Sequence, residues 1–419
     1  MEGIMIRIGI AIAGLVLLAG CGGGGDGSNP AAPEQGSQQP PPAQPDMLTA
    51  TAQGLMRGKA NGQGQQVIFR LSNMHQADVS LGNGHVYYHR DGPPVVNANF
   101  DNRDIWSVRA DGTGDHAVLN TGEDEFIRAV NGAGAVYESR QSTSNYGSIR
   151  NGAPLADFGS NLARYIVIEG ERVFTGNEGY VDSRNLDGSN PIVYLDGLFF
   201  PDLIANLYEV VDGRFLMRQF NAASGVMTVY SVPVPGGSRS PLGDGRSYYA
   251  YEGHVGPRVV LEQCVLTPGG PPQAGACDVV SMNTDGSGTA TLTTHPANEA
   301  VQGIVGNQVI IRRNLSGNDH LIAVPEGGGP EKLLMTMTDS EFVETVIDDL
   351  IIVRRPSGTW TLDLNAKLSQ LGTVALDFNL VEVGNSVCGN TVNAVWCLPL
   401  NGQGPAVKIT DNGRVLGVL

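Results

Sequence analysis

IWSVRADGTGDHAVLNT, residues 105–121, decides the fold. A run of β-branched and aromatic residues from Ile105 to Val108 meets the turn signal Asp111-Gly112. A second run, Ala117 to Leu119, ends near Thr121, so the stretch reads as two strands joined by a hairpin. The phrase recurs. YGSIRNGAPLADFG starts at Tyr146, VDSRNLDGSNPIVYLD at Val181 and VYSVPVPGGSRSPL at Val229. VVSMNTDGSGTATLTT starts at Val279, HLIAVPEGGGPEKLLMT at His320, TWTLDLNAKLSQLGT at Thr359 and VWCLPLNGQGPAVKIT at Val395. Six residues before each turn glycine (Ala366 in one copy) stand Trp106, Tyr146, Asp182, Tyr230, Val280, Leu321, Trp360 and Trp396. Five of these eight are aromatic and they include all three tryptophans of the chain, so the register is not arbitrary. Their intervals are 40, 36, 48, 50, 41, 39 and 36 residues, the period of one repeating structural unit.

A second phrase lies between the hairpins: apolar alternation, a glycine turn and another apolar strand. VSLGNGHVYYHR, FIRAVNGAGAVYESR, AVQGIVGNQVIIRR and FNLVEVGNSVCG are examples. Each unit therefore holds about four strands in about 40 residues, the signature of a propeller blade. Stacking such blades in a ring buries faces that one blade cannot bury alone and leaves only short edges. Eight complete units fit between Asp78 and Thr410, so the sequence predicts an all-β β-propeller of eight four-stranded blades over residues 51–419. Seven or nine blades stay open. NGQGQQV at Asn61 echoes NGQGPAV at Asn401, and the tail RVLGVL from Arg414 reads as one more strand, so both termini offer pieces for ring closure. The aromatic positions are expected to be inter-blade core rather than a ligand platform. DIWSVRADGT, Asp104 to Thr113, resembles the WD40-like repeat of TolB-type propellers, also found in the propeller of prolyl-oligopeptidase relatives. The resemblance covers most of residues 78–410. It implies the fold but no Tol-specific partner, because the Tol-system propeller has an extra N-terminal domain and no lipid anchor.

The N-terminus gives an address. Ile8 to Ala19 is an apolar run of signal-peptide length, too short to span a bilayer as a helix. Leu18-Ala19-Gly20-Cys21 resembles the bacterial lipobox. The resemblance implies that residues 1–20 are a lipoprotein signal peptide and that Cys21 is lipidated. Several acyl chains anchor stably where one binds only marginally. Glu2 departs from a positively charged leader, and a start at Met5 removes it. Gly22, where an Asp would retain the protein at the inner membrane, points to the outer membrane of a bacterial cell envelope. Residues 21–50 are then the lipidated cysteine and a tether rich in Gly, Pro and Gln, too poor in apolar residues to offset its ordering entropy.

Four cysteines remain. Cys264 and Cys277 flank LTPGGPPQAGA, and Cys388 and Cys397 flank GNTVNAVW. Each pair straddles a hairpin, so a cross-strand disulfide is geometrically reasonable and an exported compartment permits it. Loops this short correspond to roughly 3 kcal/mol each. The spacing argues against a four-cysteine zinc site.

Catalytic and cofactor motifs are missing. There is no G-x-S-x-G elbow, no H-E-x-x-H and no phosphate loop, so no catalytic, cofactor or metal residue is assigned. His85 and His89 fall on one strand, roughly 13 Å apart and too far to share a metal. Asp111 to Asp115 lacks the sixth-position Gly and twelfth-position Glu of an EF-hand and reads as a turn. Asp348-Asp349 and the carboxylates from Asp101 to Asp104 read as solvated loop charges. A formal net charge of −16 makes phosphate backbones and anionic headgroups poor partners and excludes nucleic acid. The expectation is a lipid-anchored binding or scaffold module that meets envelope proteins or glycans. The alternative is a propeller enzyme acting on polysaccharide or peptide, with its site on insertions near Pro201 to Ala223 or Leu266 to Gly275.

Overall fold

The computed structural model describes residues 45–71, 79–92, 102–140, 144–160, 165–177, 180–196, 203–221, 226–234, 236–244, 248–266, 272–315 and 317–419. The leader 1–20, Cys21 and most of the expected tether lie outside the described residues. So do Asp101, both ends of the expected insertion Pro201 to Ala223 and residues 267–271 of the insertion Leu266 to Gly275. The middle of the first is not an insertion: Leu203–Val211 and Arg214–Asn221 are the inner two strands of a regular four-stranded sheet, and the second is flanked by the long strands Arg258–Leu266 and Pro272–Asn283.

Among the described residues there are nine four-stranded antiparallel sheets, which corrects the expected eight blades. Eight come in chain order between Ser80 and Asp411. The ninth is split. Its three outer strands, Asp46–Thr51, Gly54–Lys59 and Gln66–Arg70, begin ahead of residue 51, and its innermost strand is the tail Gly413–Val418. The two terminal pieces do not patch a neighbouring blade. Together they make a complete one. We number this split sheet blade 1 and the rest blades 2 to 9 in chain order. The tail lies between the inner strands of blades 9 and 2, Phe378–Glu382 and Ser80–Gly82, which closes the ring.

The core is a series of clusters, each between two neighbouring blades. Val305, Ile310, Leu321 and Ala323 of blade 7 meet Val343, Ile351, Val353 and Leu362 of blade 8. At the closure, Leu48, Ala50 and Leu55 of blade 1 meet Val86, Tyr88 and Val108 of blade 2. On the other side of blade 1, Met47 and Val415 meet Val383, Val395 and the cysteines Cys388 and Cys397 of blade 9. Full burial of such a side chain is worth roughly 1.5–3 kcal/mol, so β-branched alternation on both faces of each sheet supplies the stability.

The tryptophans occupy equivalent positions. Trp106, Trp360 and Trp396 each sit on the third strand of a blade, just after the shift that joins it to the fourth. They are half-buried rather than buried as expected: Arg90 lies over the Trp106 ring at 4.1 Å and Arg355 over the Trp360 ring at 5.2 Å. Tyr146 and Leu321 are one position out of the expected register; the equivalents are Gly147 and Ile322. A one-residue slip moves a side chain to the opposite face. Blade 3 keeps its aromatic ring by another route. A Cβ on Gly147 would lie 2.4 Å from the Tyr137 hydroxyl, so Tyr137 on the facing strand fills the space.

Both cysteine pairs face each other at disulfide distance. Cys264 is directly opposite Cys277 and Cys388 opposite Cys397, each with Cα atoms 4.0 Å apart.

Candidate functional site

In an antiparallel four-stranded blade, the first and third turns lie at one end, and the second turn and the link to the next blade at the other. The first-turn end is built of tight turns such as Asn83-Gly84, Asp212-Gly213 and Asp348-Asp349, with Asn83, Asp212 and Asp348 at positive φ. Asp348-Asp349 is thus a turn, as expected of a surface pair. The opposite end carries the second turns and the inter-blade links. Loops that vary in length on a rigid scaffold are where binding residues concentrate.

One level of the sheets next to that loop-bearing face stands out. The inner strand pairs with the second strand as Phe126↔Glu138 in blade 3, Tyr165↔Gly176 in blade 4, Ala250↔Glu262 in blade 6 and Ala300↔Arg312 in blade 7. Blades 8 and 9 continue it with Phe342↔Arg354 and Phe378↔Asn390. The structural equivalent on the second strand of blade 2 is His89. The mouth of the channel therefore gathers aromatic rings, arginines and carboxylates. Phe342 is 38% and Phe378 47% exposed, which makes them accessible platforms. The Arg354 guanidinium lies 4.5 Å over the Phe342 ring, donates to Glu344 at 2.7 Å and pairs with Asp377 of blade 9 at 3.2 Å. That brace fixes the arginine between two blades.

Bulges set this level. In blades 3, 5, 6, 7, 8 and 9 the inner strand carries an irregularity one or two residues beyond it, at Arg128, Tyr208-Glu209, Glu252, Gln302, Glu344 and Asn379-Leu380. The extra residue bends the strand and re-aims its side chains. Two of these bulges shift titrations. Burial, helped by the neighbouring Glu262, pushes Glu252 up to about 8, and burial raises Glu262 as well. Burial would also raise Glu138, but hydrogen bonds from Arg140 and Ser144 and the charges of Arg128 and Arg140 outweigh it and hold its carboxyl below the usual range. Arg140 and Arg103 both lie against the Phe126 ring, at 4.8 and 5.4 Å.

One residue further toward the loops sits a buried glutamate. Glu299 of blade 7 accepts from Arg313 directly opposite, at 2.5 Å. Glu341 of blade 8 pairs with Arg355 in the same way and accepts from the Thr338 amide at 2.8 Å. In blade 3 the glutamate is Glu125, but the residue opposite is Ser139. Glu125 is fully buried, and its Oε2 has no hydrogen-bond partner. Burial pushes its carboxyl up to about 7 against the opposing hydrogen bonds of Thr121, and the charges of Asp104 and Glu123 push the same way. Asp104 is 3% exposed and is itself raised by burial, so it is not the solvated loop charge the sequence suggested.

A cavity of about 350 Å³ opens at the same face of blade 7, lined by Asn298, Glu299, Ala300, Arg312, Asn314 and Asp319. Asp319 accepts from Arg312 Nε at 2.6 Å and from Asn314 Nδ2 at 2.8 Å. His85 and His89 lie on one strand, His85–Asp91. No group of three or more His, Cys, Asp or Glu side chains among the described residues is arranged to hold a metal. Asp111 is a turn residue: its carboxylate accepts from the Thr113 amide at 2.9 Å and hydroxyl at 2.6 Å.

No protein-family model matches the chain, and a search of curated proteins found no match. Among solved structures the chain is similar to an oligogalacturonate lyase in complex with manganese, at 10% identity and TM-score 0.41 over 64% of this chain and 86% of that one. It is similar to the oligopeptidase B of Leishmania major at 9% identity and TM-score 0.44, over 76% of this chain and 52% of that one. The oligopeptidase B of Trypanosoma brucei with covalently bound antipain gives 13% identity and TM-score 0.41, over 78% and 53%. The chain spans about half the length of the two oligopeptidases. By its own nine four-stranded sheets it is a β-propeller.

Proposed function

We propose that the chain is a binding propeller of the bacterial cell envelope, lipid-anchored through Cys21, that recognises an envelope protein or glycan at its loop-bearing face. The observation that carries the reading is the collar at the channel mouth. Exposed Phe342 and Phe378, with Arg354 braced between them, have the composition of a recognition hot spot, in which aromatic and arginine side chains dominate. The lipobox-like Leu18 to Cys21 and the Gly, Pro and Gln tether support the anchor. The WD40-like stretch Asp104 to Thr113 supports kinship with TolB-type propellers. Photo-crosslinking in the living cell tests the face. A crosslinker at position 378 is expected to capture a partner, while one at Val193, 54% exposed on an outer strand, is not. Equal capture from both positions would refute the assignment. Cys21→Ser is expected to end lipid labelling and release the protein from membranes; acylated, membrane-bound Cys21→Ser protein would remove the anchor from the proposal.

A second reading is a propeller enzyme acting on polysaccharide or peptide. The raised Glu252 beside Glu262 favours it, because a carboxyl protonated near neutral pH at a channel mouth is suited to general-acid work. Release of reducing ends from a polysaccharide panel, lost in Glu252→Gln, is its test. No turnover by the wild type on glycan or peptide panels removes it.

A further inference from the structure

We infer that the cavity of blade 7 and the neighbouring phenylalanines form one binding site for a neutral oligosaccharide. This deepens the proposed recognition at the channel mouth and rests on it. Ala300 lines the cavity at the level where blade 8 has Phe342 and blade 9 has Phe378. Blade 6 also has an alanine at this level, Ala250, but only after Ala300 do the next two blades carry large residues, which makes a hollow followed by two exposed faces. The inner strands of blades 7 and 8, Glu299–Val305 and Phe342–Ile347, are neighbours, as are those of blades 8 and 9.

The lining defines the ligand class. It is polar apart from Ala300 and supplies donors and acceptors together: the amides of Asn298 and Asn314, the Arg312 guanidinium and the Asp319 and Glu299 carboxylates. The charges are already paired. Arg312 donates to Asp319, and Glu299 accepts from Arg313. The two carboxylates of the lining outnumber its single guanidinium, which is already bridged to Asp319, so an anionic ligand is disfavoured. An apolar peptide side chain would meet a lining with Ala300 as its one apolar residue, whereas ligand pockets for apolar groups are lined mainly by apolar residues. Hydroxyl groups, each both donor and acceptor, match such a lining without disturbing its charges. The C–H faces of the following rings can then lie on Phe342 and Phe378.

Calorimetric titration of the full chain tests the inference. The probes are cellopentaose, maltohexaose, chitopentaose, trigalacturonate and a tryptic digest of casein. At least one of the three neutral sugars is expected to bind. Ala300→Phe installs the residue tolerated at this position in blades 8 and 9, and is expected to weaken binding at least tenfold with the melting temperature unchanged. Asn298→Ala, at an exposed position, should weaken it by a smaller factor and serves if Ala300→Phe folds poorly. Phe342→Ala should weaken the same sugar with the melting temperature unchanged. No binding by any neutral sugar, or binding untouched by Ala300→Phe and Asn298→Ala, overturns the inference. Casein peptides that bind and are lost in Phe342→Ala also overturn it while leaving recognition at the mouth intact. Failure of all probes together with equal crosslinking from positions 378 and 193 overturns both.

Discussion

Replacing Glu125 with Gln should make the propeller more stable at alkaline pH and leave it unchanged in acid. Glu125 occupies the position of Glu299 and Glu341, but Ser139 stands where those blades have Arg313 and Arg355. Its carboxyl is fully buried and is pushed up to about 7. In the unfolded chain a glutamate titrates near 4.3. The folded state therefore holds a proton that the unfolded state has released between these values, and stability falls as pH rises through the window. Below about pH 4 both states are protonated and nothing is lost. Above about 7 the buried group is ionised and the loss is complete. At about 1.4 kcal/mol per pH unit, the total is about 3–4 kcal/mol. Glu125→Gln removes this loss and keeps an acceptor for Thr121. Ser139→Arg reaches the same end differently, by supplying the missing cation. Thermal melts of wild type and both variants at pH 4, 5.5, 7 and 8.5 measure it. The expected result is that Glu125→Gln and wild type coincide at pH 4, separate up to about pH 7 and then stay a constant distance apart, with both variants above wild type at pH 8.5. Parallel pH profiles would mean that Glu125 does not titrate in this window, and the account of blade 3 as a glutamate without its arginine would fail.

Three further outcomes are expected. Peptide mapping of exported protein without reductant should recover Cys264 joined to Cys277 and Cys388 to Cys397; a cross-pair between blades 6 and 9 would contradict the strand registers. A chain ending at Asn412 lacks the inner strand of blade 1, and with it Val415 and Leu416 from the clusters on either side, so it should lose its cooperative melt; a native-like melt would mean the ring closes without the tail. Trp360→Ala should cost about 2 kcal/mol, less than the 3–5 of a fully buried ring because the indole is half-buried, with stability rather than ligand binding as the readout. Lost binding with an unchanged melt would make Trp360 part of a recognition surface.

The four-stranded repeat was legible because each hairpin is local: Asp111-Gly112 and its counterparts lie within a few residues of the strands they join. The number of blades was not, because blade 1 is assembled from residues 46–70 and 413–418 and no local pattern shows that two partial copies are one. The error at Tyr146 has a related cause. The turn after it, Asn151-Gly152, is shorter than the one after Trp106, so counting back from the turn glycine lands on the wrong face. Asp104 was misread because burial is a property of the neighbouring blade, here Glu125 and its surroundings. The collar did leave a trace. FIRAVN, FVETVI and FNLVEV all begin with phenylalanine a fixed distance before their turns, and aligning the second phrase of each unit by its turn would have found Phe126, Phe342 and Phe378. What no sequence pattern reveals is the bulge that follows, since an extra residue in a strand looks like ordinary alternation with one slip.

That bulge divides each inner strand that carries it into a packed half and a half at the channel mouth. Beyond it, toward the tight turns, the inner strands supply core residues: Val211, Val305 and Ile347 close the inter-blade clusters and cannot vary without leaving a cavity. Before it, toward the loops, the same strands carry Phe or Ala at one level, a range of sizes that packed positions do not tolerate. The irregularity uncouples the two halves, because a side chain re-aimed by an extra residue no longer has to fit the neighbouring sheet. The exceptions fit the argument. Blade 4 has no bulge, and its Tyr165 is half-buried where Phe342 and Phe378 are exposed. In blade 3 the bulged Arg128 lies 3.4 Å from Glu138, whose carboxylate also takes Arg140, so the ring of Phe126 is covered by arginines, whereas Phe342, with Arg354 over one face, and Phe378 stay exposed. The ring is thus near-uniform where blades must pack and individual where they meet the channel mouth, which is why substitutions at Ala300, Phe342 and Phe378 should change what is bound without changing when the protein melts.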